Sequence, residues 1–253
     1  MNDEGTGVPP AGTTRVAVVG AGDPDPTLET RGTVPDTESL AAAVTDTGTL
    51  VDVADADVVV AVGDAALSAV AARTDAPVLV VGGDTPLSVP RATATEAIRA
   101  LHTGTVETTA HPLLGVECGA ARSTAVFDVT LVTAEPARIS EYSVHSTGRE
   151  VDRFRADGVV VATPLGSHGY AHAAGGPVLA PDADSLVTVP IAPFAIGADD
   201  WVVPMAETTL RVEREEAPVE CFADTRRVGT VSPDEPVRVR PEGTVRFVRP
   251  TRE

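Results

Sequence analysis

Thr163, Ser167, His168, Tyr170 and His172 stand close together in the run Thr-Pro-Leu-Gly-Ser-His-Gly-Tyr-Ala-His-Ala-Ala-Gly-Gly-Pro that ends at Pro177. Hydroxyls, imidazoles and a phenol ring threaded by glycines can hold the phosphates and base of a nucleotide. Gly166 frees the backbone to approach a bound group, and Gly175-Gly176-Pro177 sets a tight turn behind it. Tyr170 offers an aromatic face on which an adenine can lie. The same pattern also describes a corner needed for packing alone. A single carboxylate, Asp64, follows Gly63 at the end of a second apolar run; it can face a ligand at the carboxyl end of a parallel strand or cap the helix that begins at Ala65. His168 and His172 have the spacing of two ligands on one helix face, but no third His, Cys or Glu is placed to complete a zinc set, so no metal site is predicted. Cys118 and Cys221 form no CxxC pair and read as reduced core thiols.

The elements that must position these groups follow from apolar runs and turn residues. Residues 1–14, rich in Gly, Pro and Thr without a period, read as a flexible tail. Val16 to Val19 forms a short buried strand that ends in Gly20-Ala21-Gly22, part of a dinucleotide fingerprint without its third glycine. Asp23 to Asp36 is a loop and Ser39 to Val44 a short helix. Asp57 to Val62 is a buried strand and Ala65 to Ala72 a helix. Pro77 to Val81 is a third strand, ended by the turn Gly82-Gly83-Asp84, and Thr95 to Thr103 a further helix. Strand, helix, strand in this order argues a parallel α/β domain over 15–101. Over 102–253 the apolar runs are short and separated by Pro, Gly and Asp. Strands are expected at Ala125 to Val132, Ile139 to Val144, Val159 to Ala162, Leu186 to Val189, Thr209 to Val212, Val219 to Ala223, Val237 to Val239 and Val245 to Val248, with one helical turn at Tyr170 to Ala174. The fold class is therefore an α/β N-terminal domain followed by a β-rich C-terminal domain.

Composition narrows the function. With 253 residues, 43% hydrophobic and 22% charged, the chain belongs to the ordinary globular class. Aromatics are 3% and the net charge is −18, which argues against nucleic acid as a partner. All 19 basic residues are Arg. An acidic surface without Lys suits a cytoplasm of concentrated salt, where self-repulsion is screened. No N-terminal leader and no apolar run of membrane length is present, so a soluble, cytoplasmic protein is expected.

From Asp157-Gly158, through the strand and Thr163-Pro-Leu-Gly-Ser-His-Gly-Tyr170, to Ala174-Gly-Gly-Pro177 and Pro181, the sequence closely resembles the C-terminal signature of the NAD kinase family. Val189-Pro-Ile-Ala-Pro-Phe194 and Trp201-Val-Val-Pro204 continue the likeness, which spans most of Val106 to Arg249 and marks a divergent, haloarchaeal-type member. The resemblance implies a two-domain NAD kinase-like fold binding NAD between the halves, with ATP or polyphosphate as donor, Mg²⁺ accompanying it, and a homodimer or homotetramer. It implies that Asp64, at the place of the Asp in Gly-Gly-Asp-Gly-Thr, takes the proton from the adenosine ribose 2′-hydroxyl as that oxygen attacks the γ-phosphoryl group. The flanking Gly63 and Ala65 then lie along the donor phosphates. It implies further that Asp128, Arg155, Asp157, Thr163, Gly166 and the run His168, Gly169, Tyr170, Ala171, His172, Ala173 contact the dinucleotide. The sequence departs from the family at Val62, Ala65 and Ala66, which replace two Gly and the Thr. It departs also at Phe127, where the family has an adenine-binding Asn, at His168 and Gly169, which replace Thr and Ala, and at Asp224-Thr225-Arg226, which stands where the family shows Asp-Gly-Gln. Two functions remain open at this stage: a phosphotransferase making NADP, or a homologue that binds NAD(P) without turnover.

Overall fold

The computed structural model describes residues 14–20, 37–103, 107–135, 138–194, 199–233 and 235–249. The expected tail before Thr14, Gly22 of the first glycine turn and the loop from Asp23 to Asp36 lie outside the described residues. The chain forms two compact units, one of residues 1–111 with 244–253 and one of residues 112–243. Among the described residues no helix is long and apolar enough to cross a membrane.

In chain order the first unit contains β1 (Arg15–Val19), α1 (Thr37–Thr45), β2 (Thr49–Leu50), β3 (Val58–Val62), α2 (Asp64–Val70), β4 (Val78–Val81) and α3 (Ala94–Thr103). Its strands pair in parallel in the order β2-β1-β3-β4. β3 and β4 are buried along their whole length. A parallel strand covered on both faces loses the apolar/polar alternation and reads as a continuous Val-rich run. Val58, Val60, Val62, Leu79 and Val81 share a core with Leu40 and Val44 of α1 and Ile98 and Leu101 of α3. Residues 244–249 also lie in this unit, where Phe247 pairs in parallel with Val78. The sequence reading had assigned them to the second domain; a strand partner, which no local pattern reveals, draws them here.

The second unit is built from antiparallel strands. β5 (Glu107–Cys118) enters it and pairs with β6 (Ala121–Ala125) in a hairpin. A six-stranded sheet follows, made of β7 (Asp128–Thr133), β10 (Gly158–Ala162), β11 (Ser185–Ile191), β12 (Trp201–Pro204), β14 (Val219–Ala223) and β15 (Arg226–Val231), ordered β12-β11-β10-β7-β14-β15. β8 (Ser140–Ser146) and β9 (Arg149–Ala156) form a hairpin that β13 (Thr208–Arg214) extends, and the start of β16 (Val237–Arg249) pairs with β13. One core joins Val129, Leu131, Val159, Val161 and Leu186 of the six-stranded sheet to Tyr142, Val144, Phe154 and Leu210 of the other strands. Trp201 stacks on Phe154 with ring centroids 5.7 Å apart, a pairing that contributes about 0.5–1.5 kcal/mol beyond its area and holds the edge strand β12. On the other face of the sheet Val160, Ala162, Val187 and Val189 pack under Ala171 of the short helix α4 (Tyr170–Ala173).

The expected strand at Ala125 to Val132 is interrupted, because Val126 and Phe127 leave the β5–β6 hairpin before β7 joins the sheet. Val237 to Val239 and Val245 to Val248 are the two ends of one long strand.

The C-terminal side of β9 is tied by a buried polar cluster. Thr133 Oγ1 lies 3.0 Å from both Ser140 Oγ and the Tyr142 hydroxyl, which donates to the Asp157 carbonyl at 3.3 Å. Tyr142→Phe removes that donor but keeps the ring, so it is expected to cost about 1 kcal/mol and to lower Tm by about 2–4 °C in thermal denaturation; an unchanged Tm would remove Tyr142 from the support of Asp157.

Candidate functional site

The glycine-threaded run forms a corner built directly on the break between β6 and β7. Thr163, fully buried at the end of β10, donates its hydroxyl to the Val126 carbonyl at 2.9 Å and its amide to the Phe127 carbonyl at 2.8 Å. The same hydroxyl accepts the Gly166 amide at 3.1 Å. A side chain at Gly166 would collide with the Phe127 backbone, so only glycine permits this approach. Ser167 donates to the Pro164 carbonyl at 2.6 Å and accepts the Leu179 amide at 2.9 Å, which pins the far end of the run. A Cβ at Gly176 would strike Val189, so this glycine lets the turn after α4 lie on the sheet.

Opposite the corner, Asp224 performs a role the sequence reading did not assign to it. Its carboxylate accepts the amides of Val126 at 3.1 Å, Phe127 at 2.8 Å and Asp128 at 3.3 Å. Its own amide donates to the Asp128 carbonyl at 2.8 Å. Asp224 takes a left-handed φ of 52°, unusual for a residue with a side chain. The sequence signal was its alignment with an Asp-Gly-Gln motif and nothing more. Burial and, after it, the nearby Asp224 charge push the Asp128 carboxyl up to about 7, against the pull of the Thr130 hydroxyl that donates to it at 3.2 Å. Phe127 is half-buried, so it does not simply fill the core.

Along the corner the side chains divide by exposure. Ala171 is fully buried under the sheet and is a packing residue, whereas Gly169, Tyr170, His172 and Ala173 are exposed. His172 Nδ1 lies 3.1 Å from the Gly176 carbonyl, which holds its ring back along the turn. His168 keeps its Nε2 sheltered and without a hydrogen-bond partner among the described residues, so it can supply a bond where a Thr hydroxyl would otherwise stand. Arg155, on β9, pairs with Glu216 at 3.1 Å and lies over the ring of Phe194, 5.6 Å from its centre. The backbone of Asp157 bonds Ile191, Thr133 and Tyr142, and its side chain remains half-exposed. The structure thus brings Thr163, Gly166 and Asp128 together with Phe127 and Asp224, while Arg155 is engaged in its own ion pair.

In the first unit the candidate residues lie at the carboxyl ends of neighbouring parallel strands. Gly63 adopts φ 83° between β3 and α2, and its amide donates to the Val81 carbonyl at 2.9 Å. Asp64 is the first residue of α2, one position past the N-cap at Gly63. Its Oδ2 accepts the Asp84 amide at 3.0 Å. The carboxylate thus reaches across to the turn after β4, and a Cβ on Gly83 would collide with it. Ala65 is exposed, whereas Ala66 is buried and serves packing. Gly82, at φ 68°, carries the side chain of Arg91 laid against it, and any Cβ there would strike that side chain. Arg91 has no ion pair or hydrogen bond among the described residues, and sequence reasoning missed it because a lone Arg after Pro90 carries no pattern. Among the described residues no three His, Cys, Asp or Glu gather to hold a metal ion.

Residues 127–249 match the family model described as the ATP-NAD kinase C-terminal domain. The chain is 37% identical over 128 residues to an NAD kinase of Methanosarcina acetivorans, half of this chain and 46% of that protein. It is 41% identical over 93 residues, 37% of each chain, to an NAD kinase of Archaeoglobus fulgidus. The matching stretch thus spans about half the length of these curated relatives or less. Among solved structures, an Archaeoglobus fulgidus NAD kinase in complex with ATP superposes with a TM-score of 0.73 at 24% identity, covering 93% of this chain and 94% of that one. A yeast NADH kinase complexed with NADH gives 0.73 at 13% identity, covering 94% and 84%. The C-terminal half of the chain is thus similar to the ATP-NAD kinase C-terminal domain, and the chain shares the fold of these two structures.

Proposed function

We propose that the chain transfers a phosphoryl group from ATP or polyphosphate to the 2′-hydroxyl of the adenosine ribose of NAD, giving NADP. The observation that carries this reading is the corner from Thr163 to Gly176, which lies within the matched domain and is anchored by Thr163 to the Val126 and Phe127 carbonyls. Thr163 and Gly166 shape its floor, and the half-buried His168 with the exposed Gly169, Tyr170, His172 and Ala173 offer ring faces and polar atoms to a dinucleotide. Asp128 and Asp157 serve the base and ribose, and Arg155 serves the ligand by exchanging its pairing with Glu216. The six positions from His168 to Ala173 include one, Ala171, whose contribution is to pack the run onto the sheet.

Asp64 is assigned the proton. As the 2′-oxygen attacks phosphorus, its hydroxyl proton passes to the Asp64 carboxylate; a carboxylate is a weak base, so orientation matters more than basicity. The Asp84 amide supplies that orientation by holding Oδ2. Magnesium enters with the donor as its phosphate-bound partner, since such an ion needs only one or two protein carboxylates; when bound it neutralises charge on the phosphates. Arg91 supplies the fixed positive charge for the donor, replacing what the family draws from the glycines and hydroxyl that Ala65 and Ala66 lack. A homodimer or homotetramer working in a salt-rich cytoplasm belongs to the same proposal. The second reading, an NAD(P) binder without turnover, is favoured by those same alanines and would be met as tight NADP binding with no product.

Three outcomes test this function. In molar KCl with ATP, Mg²⁺ and NAD, Asp64→Asn is expected to lower kcat for NADP formation by about 10²–10⁴ while the KM for NAD stays within a few-fold; full activity in the variant would dismiss Asp64 as the base. Arg91→Ala is expected to raise the KM for ATP about tenfold, equivalent to about 1.4 kcal/mol of binding, with NAD kinetics little changed, and an unaltered KM for ATP would remove Arg91 from the donor site. Asp128 titrates near 7 in the fold against 3.8 as its ordinary value, so its protonated form is the one the fold favours. Its contribution to stability is complete below pH ~4 and is lost as pH rises through about 7. Tm measured against pH should therefore fall across that window in the wild type and less steeply in Asp128→Asn; parallel curves would mean the carboxyl ionises normally.

A further inference from the structure

The chain has two cysteines, and the fold brings them to one place. Cys118 ends β5 beside the tight turn Gly119-Ala120, where Gly119 takes φ 57°. Cys221 lies in β14 and faces Gly229 across the β14–β15 pair, with a register shift immediately after it. Directly opposed cross-strand residues hold their Cβ atoms about 4.5–5.5 Å apart. The Cys118 sulfur sits 3.7 Å from where a Cβ of Gly229 would stand and 3.9 Å from the Thr230 carbonyl. It therefore occupies the side-chain space opposite Cys221 that a glycine leaves open. Both thiols are free and both are buried in the same core.

We propose that Cys118 and Cys221 are an oxidation site, at which peroxide closes an intramolecular disulfide inside the unit of residues 112–243. The hydrogen bond from Cys221 first, and Arg227 second, draw the Cys118 thiol down to about 7 against burial and the nearby Glu235, while the same hydrogen bond and burial raise Cys221. Cys118 is then the thiolate that attacks, and Cys221 keeps its proton. The thiolate displaces hydroxide from hydrogen peroxide, forming Cys118 sulfenic acid. The Cys221 sulfur attacks that sulfenic sulfur, the S–O bond breaks, and its hydroxyl leaves with the Cys221 proton as water. Two thiols are oxidised and one peroxide is reduced to water and hydroxide. The small oxidant suits Cys118, whose residue is 5% exposed and Cys221 not at all. The crosslink ties the β5–β6 hairpin, which runs into Val126, to β14, which leads into Asp224.

The test uses the full chain, reduced and folded in molar KCl, exposed to hydrogen peroxide, quenched with catalase and then unfolded with an alkylating agent for intact mass and peptide mapping. The expected result is loss of the mass of two hydrogen atoms, no alkylation at either cysteine, linked peptides carrying Cys118 and Cys221, and full reversal by dithiothreitol. In Cys221→Ala, dimedone is expected to trap sulfenic acid at Cys118. Two cysteines still alkylated after peroxide, or a linkage found only between chains on a non-reducing gel, would overturn the proposal. Trapping at Cys221 rather than Cys118, in the Cys118→Ala variant alone, would overturn the assigned order of attack.

Discussion

Three successive amides, those of Val126, Phe127 and Asp128, converge on the carboxylate of Asp224. The chain needs this contact because, between β6 and β7, it leaves one strand partner before it gains the next, and Val126 is buried. A buried amide without a partner costs as much as a lost hydrogen bond. Asp224 meets the donors of this segment and Thr163 meets its acceptors, since the Val126 and Phe127 carbonyls take the Thr163 hydroxyl and amide. Bonds to a charged acceptor contribute about 1.5–3 kcal/mol each, which offsets the roughly 1–2 kcal/mol of a left-handed residue. The corner that presents the exposed side chains is rigid because the segment beneath it is satisfied on both edges. Burial first, and the nearby Asp224 carboxylate second, keep Asp128 from ionising in its usual range.

The first unit positions its carboxylate by a different device. There the chain uses missing side chains rather than buried charge: Gly83 lets Asp64 reach the Asp84 amide, and Gly82 lets Arg91 lie flat at the end of β4. Two parallel strands ending side by side place these groups near each other. Such a site tolerates Ala at 65 and 66, because neither methyl intrudes on the contacts that orient Asp64; Ala66 turns into the core and Ala65 outward.

The elements legible in the sequence are those whose burial is uniform. Val58–Val62, Val78–Val81, Gly158–Ala162 and Ser185–Ile191 are covered on both faces and read directly as apolar runs. Arg149–Ala156 was not legible: only Phe154 and Ala156 are buried, and the rest of the strand is polar because one side faces solvent. Arg226–Val231 and the start of Glu107–Cys118 were hidden for the same reason. At the candidate site, Thr163, Gly166 and Asp128 could be named from a motif, whereas Asp224 could not, because its role is to meet amides some hundred residues earlier in the chain. The meeting of Cys118 with Cys221 has no local signature either, since it depends on a glycine at 229 in a third strand.

At two of the positions where this chain departs from the NAD kinase pattern, Phe127 and His168, the contacts that shape the corner are made by other groups than the departing side chain. Phe127 replaces an amide side chain, yet its structural work is done by its own N–H and C=O, which Asp224 and Thr163 would engage whatever the side chain. His168 replaces a Thr, yet the corner is fixed by the backbone of Gly166 and the hydroxyl of Ser167 on its inner side. Substitutions at such positions change what is offered to a ligand without moving the platform that offers it. Divergence can therefore accumulate at such positions while the fold stays recognisable.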